Sequence, residues 1–135
     1  MNRLIVSITW AAMVLFILAG CNTAITMGDR VMGVKSGQFF FTDGTLRTDY
    51  HADFERTWAA CGQALRDMNA TITDSEKKIS SALYRAHLEG EDVRITLEYV
   101  EPDVTMVAVR VGISGNNLAS KLIHDKIRDA LAKQN

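Results

Sequence analysis

Two amphipathic helices are predicted by the spacing of apolar residues along the chain. The first begins after Asp53, its N-cap, and runs to about Asn69, because apolar positions recur there at steps of four, three, four and three. These positions are Phe54, Trp58, Cys61, Leu65 and Met68. The second helix follows Asn116-Asn117. Its apolar face is predicted to carry Leu118, Leu122, Ile123, Ile127 and Leu131, and its polar face Lys121, His124, Asp125 and Arg128.

Short runs with a period of two predict strands before and between these helices. The first stretch, residues 38–50, is interrupted by a turn at Thr42-Asp43-Gly44. The others are residues 70–73, 82–88, 93–99 and 104–113, with a hairpin turn at Glu89-Gly90-Glu91-Asp92. The pattern favours an α+β domain: a single small antiparallel sheet of about four to five strands in β-α-β-β-β-α order, with both helices packed on one face.

The N-terminal segment is typical of a secretory signal. Arg3 supplies a positive charge, and residues 4–18 form an apolar run that only Ser7 and Thr9 interrupt. This run is shorter than the roughly 20 residues that an ordinary membrane-spanning helix needs. We therefore expect residues 1–20 to be a signal peptide that is removed.

The junction Leu18-Ala19-Gly20-Cys21 resembles the bacterial lipobox. The resemblance implies diacylglyceryl transfer to the Cys21 thiol, cleavage before Cys21 and acylation of the new amine. Two or more acyl chains anchor a protein stably, whereas one binds only marginally. The alternative is an uncleaved signal anchor in which Cys21 is incidental. Asn22 stands where an aspartate would favour inner-membrane retention, so the outer membrane is the expected location, with the domain facing the periplasm.

Charge and cysteine content narrow the class of protein further. A chain of 135 residues has room for one domain, predicted at residues 38–135 after a lipidated cysteine and tether at residues 21–37. The formal charge of −1 becomes about −2 when Arg3 leaves with the signal, which argues against a nucleic-acid binder. Because Cys21 is expected to carry lipid, Cys61 has no disulfide partner.

No residue pattern predicts a catalytic, cofactor or metal site. Cys61 lies on the apolar stripe of the first helix, where a thiol is buried and inert. His51, His87 and His124 lack metal-ligand spacing with one another or with Cys61. We expect a non-enzymatic module. The alternative is an envelope hydrolase or transferase that uses Cys61 or a histidine, which would require an exposed Cys61 beside a histidine.

Strand alternation predicts one charged face of the sheet. The residues expected to face the helices are Tyr84, Leu88, Val93, Ile95, Leu97, Val107, Val109 and Val111. The face opposite the helices then carries Arg85, His87, Arg94 and Arg110. Arg47 joins them in one of the two possible registers of the first extended stretch. This face could receive an envelope protein or an anionic partner, such as a lipid head group or a polysaccharide. A solvated face with cross-strand Arg–Glu pairs would account for the same residues.

The loop at residues 112–117 also has two interpretations. Glycines ahead of a helix N-terminus can cradle an anion with backbone N–H groups. A tight strand-to-helix connection that ends in an asparagine cap needs the same residues.

Residues 44–131 carry several short segments that resemble one known family. The segments are Gly44-Thr45-Leu46, Asp49-Tyr50, Trp58-Ala59-Ala60 with Ala64-Leu65, Val109-Arg110-Val111-Gly112 with Gly115, and Ser120. They are similar to a family of short bacterial lipoproteins catalogued as a domain of unknown function. The resemblance implies a lipidated N-terminus and a compact α+β domain without an assigned activity. Asn116 departs from the aspartate common at that position, which puts a cation or acid role of the loop in doubt.

Overall fold

The computed structural model describes residues 39–134. The predicted signal peptide, Cys21 and the tether at residues 21–37 lie outside this part of the chain. The elements are β1 (Phe40–Thr42), β2 (Thr45–Tyr50), α1 (Phe54–Asp67), β3 (Thr71–Lys77), β4 (Ser81–Leu88), β5 (Glu91–Glu101), β6 (Val104–Val111) and α2 (Asn117–Ala132). No helix among these is long and apolar enough to cross a membrane.

The six strands form one antiparallel sheet in the order β1-β2-β6-β5-β4-β3. Helices α1 and α2 pack against each other and against one face of this sheet, which confirms the α+β class. The predicted core face is also confirmed, since Tyr84, Val93, Ile95, Leu97, Val107, Val109 and Val111 are buried there and Leu88 is partly buried. One layer of helix on one layer of sheet leaves the opposite sheet face without a cover from the described residues.

The sheet has six strands rather than four to five, in β-β-α-β-β-β-β-α order rather than β-α-β-β-β-α, and strand β3 is longer than predicted. The first extended stretch is a hairpin of two strands, joined at Asp43 and Gly44, which both have positive φ as a two-residue hairpin turn requires. Strand β3 continues to Lys77, well past the predicted end at Thr73. Its side chains are almost all exposed on both faces, so its sequence lacks the apolar alternation that reveals a half-buried strand.

Helix α1 matches its prediction. Asp53 caps the N-terminus, with its Oδ1 accepting a hydrogen bond from the Arg56 backbone N–H at 2.9 Å. The stripe is buried as expected at Phe54, Cys61 and Leu65, and partly buried at Trp58 and Met68. On the sheet side, the Trp58 ring stacks on Tyr84 with their centroids 3.8 Å apart. This aromatic pair helps to fix the helix against the sheet.

Helix α2 is rotated relative to the predicted orientation. Its buried residues are Ser120, Ile123, His124, Ile127 and Ala130. Leu118 and Leu122 are 81% and 51% exposed, so their placement on the apolar face was wrong. His124 was expected on the polar face, yet it is fully buried. The rotation brings a histidine inward because strand β2 supplies two hydrogen-bond partners for its ring, which lowers the cost of burying it.

The hairpin turn and the loop between β6 and α2 touch through two glycines. Gly44 and Gly115 have φ of +75° and +84°. A Cβ atom on Gly115 would lie 2.2 Å from the Cα and O atoms of Gly44, and one on Gly44 would lie 2.5 Å from the Ser114 O atom. Only residues without a side chain allow two backbones to approach this closely. Beyond this contact, the Asn116 Oδ1 accepts from the Ala119 N–H at 3.0 Å, which is the predicted cap.

Candidate functional site

Three arginines stand in one row across the open face of the sheet. The strand register pairs Arg85 on β4 with Arg94 on β5, and Arg94 with Arg110 on β6. Neighbouring strands lie about 4.8 Å apart, so the row spans roughly 10 Å between its outer Cα positions. Like charges directly opposite each other destabilise a sheet. The strand register thus brings three of the predicted charged residues into one row, an alignment that alternation alone does not reveal.

The three arginines differ in their partners. Arg85 donates from Nη1 to the Asp74 Oδ2 on β3 at 2.7 Å. Arg110 donates to two backbone carbonyls, those of Asp43 and Ile113. Arg94, in the centre, makes no ion pair or hydrogen bond with a side chain of residues 39–134. Cross-strand pairing with acidic residues thus accounts for one arginine of the row and leaves the central charge without a counterion.

Shallow depressions surround the central arginine. Arg94 lines three of them, with volumes of about 370, 270 and 240 Å³. The largest contains the whole arginine row and is bounded by Thr73, Ala86, Asp92, Val93, Gly112 and Ile113. The open face therefore offers concave, positively charged space around Arg94, of a size suited to a head group or a small anionic moiety.

His87 and Arg47 lie on the same face but outside the row. The His87 Nδ1 is 2.7 Å from the Asp92 Oδ1, and both side chains are more than half exposed. Asp92 lines the largest of these depressions and His87 does not. His87 is therefore connected to this depression only by its contact with the Asp92 carboxylate. Arg47 is opposite Ala108 and Phe40, which carry no charge, and it lines the 270 Å³ depression.

A buried polar cluster joins α2 to β2, and the sequence patterns did not reveal it. The His124 Nε2 is 2.9 Å from the Leu46 carbonyl oxygen, and its Nδ1 is 2.9 Å from the Tyr50 hydroxyl. The carbonyl can only accept, so Nε2 carries a proton and the neutral ring accepts at Nδ1. Burial lowers the pKa of His124 to about 4 and raises the pKa of Tyr50 above its ordinary value.

This cluster has the features of a structural contact. His124 is fully buried, and the Tyr50 hydroxyl oxygen also lies 3.0 Å from the His124 backbone carbonyl oxygen, so its one proton is shared between Nδ1 and this carbonyl. A reacting group must reach its substrate, and these atoms are enclosed by the two elements that they join.

Cys61 is fully buried in the core, as its helical stripe predicts. Burial raises the pKa of its thiol, which disfavours the reactive thiolate. Within residues 39–134, no three histidine, cysteine or acidic side chains converge as metal ligands.

Removing the central charge of the row should stabilise the domain. We expect Arg94→Thr to raise the free energy of unfolding by roughly 0.5 kcal/mol, because it relieves like-charge repulsion on both sides and threonine suits a strand. Urea denaturation at low salt would measure the gain, which should shrink at 1 M salt as repulsion is screened. Arg47→Thr is the matched control. Equal gains in the two variants would show that the row carries no particular repulsion.

The chain matches a known protein family over most of its length. A family model described as "Protein of unknown function (DUF3568)" matches residues 3–130. No curated protein matches the chain. The expected membership of a family of unknown function is confirmed, and the match covers the predicted leader as well as the folded domain.

Proposed function

We propose that this chain, which belongs to the DUF3568 family of proteins of unknown function, is a membrane-anchored bacterial lipoprotein with a non-enzymatic binding module. The anchor is lipid on Cys21, and the module faces the periplasm. The outer membrane is favoured over the inner membrane as the site of the anchor. Its open sheet face binds an anionic component of the envelope, which is a lipid head group, a polysaccharide or the acidic surface of a partner protein.

The anchor is supported by the N-terminal pattern and by the extent of the family match. Arg3, the apolar run and the small residues before Cys21 form a signal with a lipobox-like end. The match to the family begins at residue 3, so the leader is part of the shared pattern. A segment that served only as an incidental extension would not be expected to match along with the domain.

The arginine row is the observation that supports the binding role. It places three arginines at adjacent positions of the strand register, although the arrangement costs stability, and leaves the central one without a counterion in residues 39–134. Residues that break a local stability rule are expected where function requires them. Arginine is also the side chain best suited to paired hydrogen bonds with carboxylate or phosphate.

Lipidation should depend on one cysteine. When the full chain is expressed in bacteria fed an alkyne-tagged palmitate, we expect the protein to be labelled and Cys21→Ser to abolish the label. Cys61→Ser is the control and should remain labelled, because that thiol is buried in the folded domain. A label that survives Cys21→Ser, or none on the unaltered protein, would contradict the anchor.

Anion binding should depend on the arginine row. The full chain in nonionic detergent would be titrated with an anionic phospholipid, with lipopolysaccharide and with an acidic polysaccharide. We expect at least one to bind, with an affinity that falls as salt rises and falls at least about tenfold in the triple variant Arg85→Thr, Arg94→Thr, Arg110→Thr. If none binds, or if the triple variant binds equally well, the binding role is wrong.

The enzyme alternative gains no support from the described residues. It required Cys61 in an open pocket beside a histidine. Cys61 is fully buried, and the buried His124 is engaged with Tyr50 and Leu46.

A further inference from the structure

We infer that the 370 Å³ depression receives the phosphomonoester head group of a membrane lipid, whose apolar part lies against Ile113. This inference rests on the proposed binding role and names the class of ligand. Four observations support it: the three arginines that line the depression, the partners of the two outer arginines, an exposed apolar side chain at the edge, and the short length of chain to the proposed anchor.

The three arginines of the depression suit the three terminal oxygens of a phosphomonoester. Asp74, which pairs with Arg85, and Asp92, on the wall of the depression, lower the charge of the three arginines from +3 to a net +1. A phosphomonoester carries about −1.5 to −2 at neutral pH and presents three strong acceptor oxygens, one for each arginine. A carboxylate or a phosphodiester presents only two terminal oxygens and would leave one arginine without an acceptor.

The outer arginines already have partners that favour one orientation of each side chain. Arg85 pairs with Asp74, and Arg110 donates to the carbonyls of Asp43 and Ile113. Each guanidinium has five N–H donors, so these contacts leave other donors available for an oxygen ligand. Arg94 lies between them with all its donors free of other side chains of residues 39–134. Prior orientation of the binding groups lowers the entropy that is lost on binding.

Ile113 gives the depression an apolar edge that a soluble phosphate would not use. Its side chain is 91% exposed, although it lines the same depression as the three arginines. A charged row beside an exposed aliphatic side chain is complementary to an amphiphile, whose phosphate and hydrocarbon parts are adjacent. Burial of the isoleucine against lipid would then add the hydrophobic contribution that the free domain lacks.

Lipids of the anchoring membrane are within reach of the site. Sixteen residues separate Cys21 from Gln38, and a fully extended chain of that length spans at most about 55 Å. A tether of this length keeps the domain at high effective concentration near the head groups of its own membrane. Weak binding to each head group would therefore suffice to hold the arginine row against the bilayer.

Asp92 provides a variant that should strengthen binding. Its carboxylate is on the wall of the depression and opposes an anionic ligand, although it pairs with His87. Asp92→Asn removes the opposing charge and retains a side chain of nearly the same size. A gain of affinity in this variant cannot be explained by misfolding.

The test uses the full chain in nonionic detergent micelles and isothermal titration. The probes are dihexanoyl phosphatidic acid, dihexanoyl phosphatidylglycerol, dihexanoyl phosphatidylcholine and sn-glycerol 3-phosphate. We expect phosphatidic acid to bind at least about tenfold more tightly than phosphatidylglycerol, and phosphatidylcholine not to bind. Arg94→Thr should weaken the binding of phosphatidic acid roughly tenfold, Arg47→Thr should change it little, and Asp92→Asn should tighten it.

Ile113→Asn distinguishes a lipid from a soluble phosphate. It should weaken phosphatidic acid several-fold and leave glycerol 3-phosphate unchanged. If glycerol 3-phosphate binds as tightly as phosphatidic acid and Ile113→Asn has no effect, the ligand is a soluble phosphomonoester, and the assignment of a lipid is wrong. Equal binding of phosphatidic acid and phosphatidylglycerol would overturn the assignment of a phosphomonoester. If all four probes fail while an acidic polysaccharide still binds through the row, this inference fails and the proposed function stands.

Discussion

Gly115→Ala is expected to lower the free energy of unfolding by about 3 kcal/mol or more, since it combines backbone strain with a collision that no rotamer can relieve. The φ of +84° alone disfavours a side chain. The new Cβ would also lie 2.2 Å from backbone atoms of Gly44, so the hairpin turn and the β6–α2 loop would have to separate. A loss of this size corresponds to a fall of more than 10 °C in the Tm of a domain this small.

Gly90→Ala is the matched control for this prediction. Gly90 has a φ of +86° in the β4–β5 turn, and a Cβ there would have nothing within 4 Å. It isolates the conformational cost, which we expect to be about 1 kcal/mol. Urea denaturation of both variants would give the comparison. Similar losses would mean that the contact between the two glycines contributes nothing beyond the backbone conformation.

Acidification should destabilise the domain through His124. Burial lowers the pKa of this histidine to about 4 in the folded state, from an ordinary value near 6.5. Folding therefore favours the neutral ring. The associated stability is fully present above pH 6.5 and is lost as the pH falls from there towards 4. The full loss amounts to about 3 kcal/mol, most of it between pH 6.5 and 4.5.

The contribution of His124 can be separated by comparing its glutamine variant with the unaltered chain. We expect His124→Gln to be less stable at pH 7 but to lose much less stability between pH 7 and 4.5, as measured by urea denaturation. Asp125 also titrates: burial raises its pKa, but the hydrogen bonds and charges of Lys121 and Arg128 outweigh this and lower it. This contribution is present in both proteins and largely cancels. His51→Gln, at an exposed position, should behave as the unaltered chain does. Identical acid losses in all three proteins would exclude His124 as the cause.

The core face of the sheet and helix α1 could be predicted because their side chains follow a strict period. Apolar positions recur every three or four residues on the face of α1 that includes Cys61, and the strands from Ala82 to Val111 alternate between apolar and polar residues. Burial of one side enforces such periods, so they are visible in a single sequence. The turns at Asp43-Gly44 and Glu89-Gly90 were visible for a different reason, since few residues adopt positive φ.

The remaining features depend on contacts between distant elements. Strand β3 has no buried face to impose a period on Thr71–Lys77. The rotation of α2 depends on the Leu46 carbonyl and the Tyr50 hydroxyl, which are more than 70 positions away in the chain from His124. The arginine row depends on strand register, whereas alternation assigns a residue only to a face. Arg85, Arg94 and Arg110 were thus assigned to the correct face, but their alignment required the structure.

The two outer strands of the sheet affect how neighbouring copies would behave under the proposed lipid anchor. Strand β1 is only three residues long, and β3 is rich in charge and carries an irregularity in its register between Ile72 and Asp74. Short, charged or irregular edges discourage a sheet from extending into that of a neighbouring molecule. Confinement to a surface by the proposed lipid anchor would raise the local concentration of the domain. We therefore expect these edges to keep copies that share the proposed anchoring membrane from joining into a common sheet.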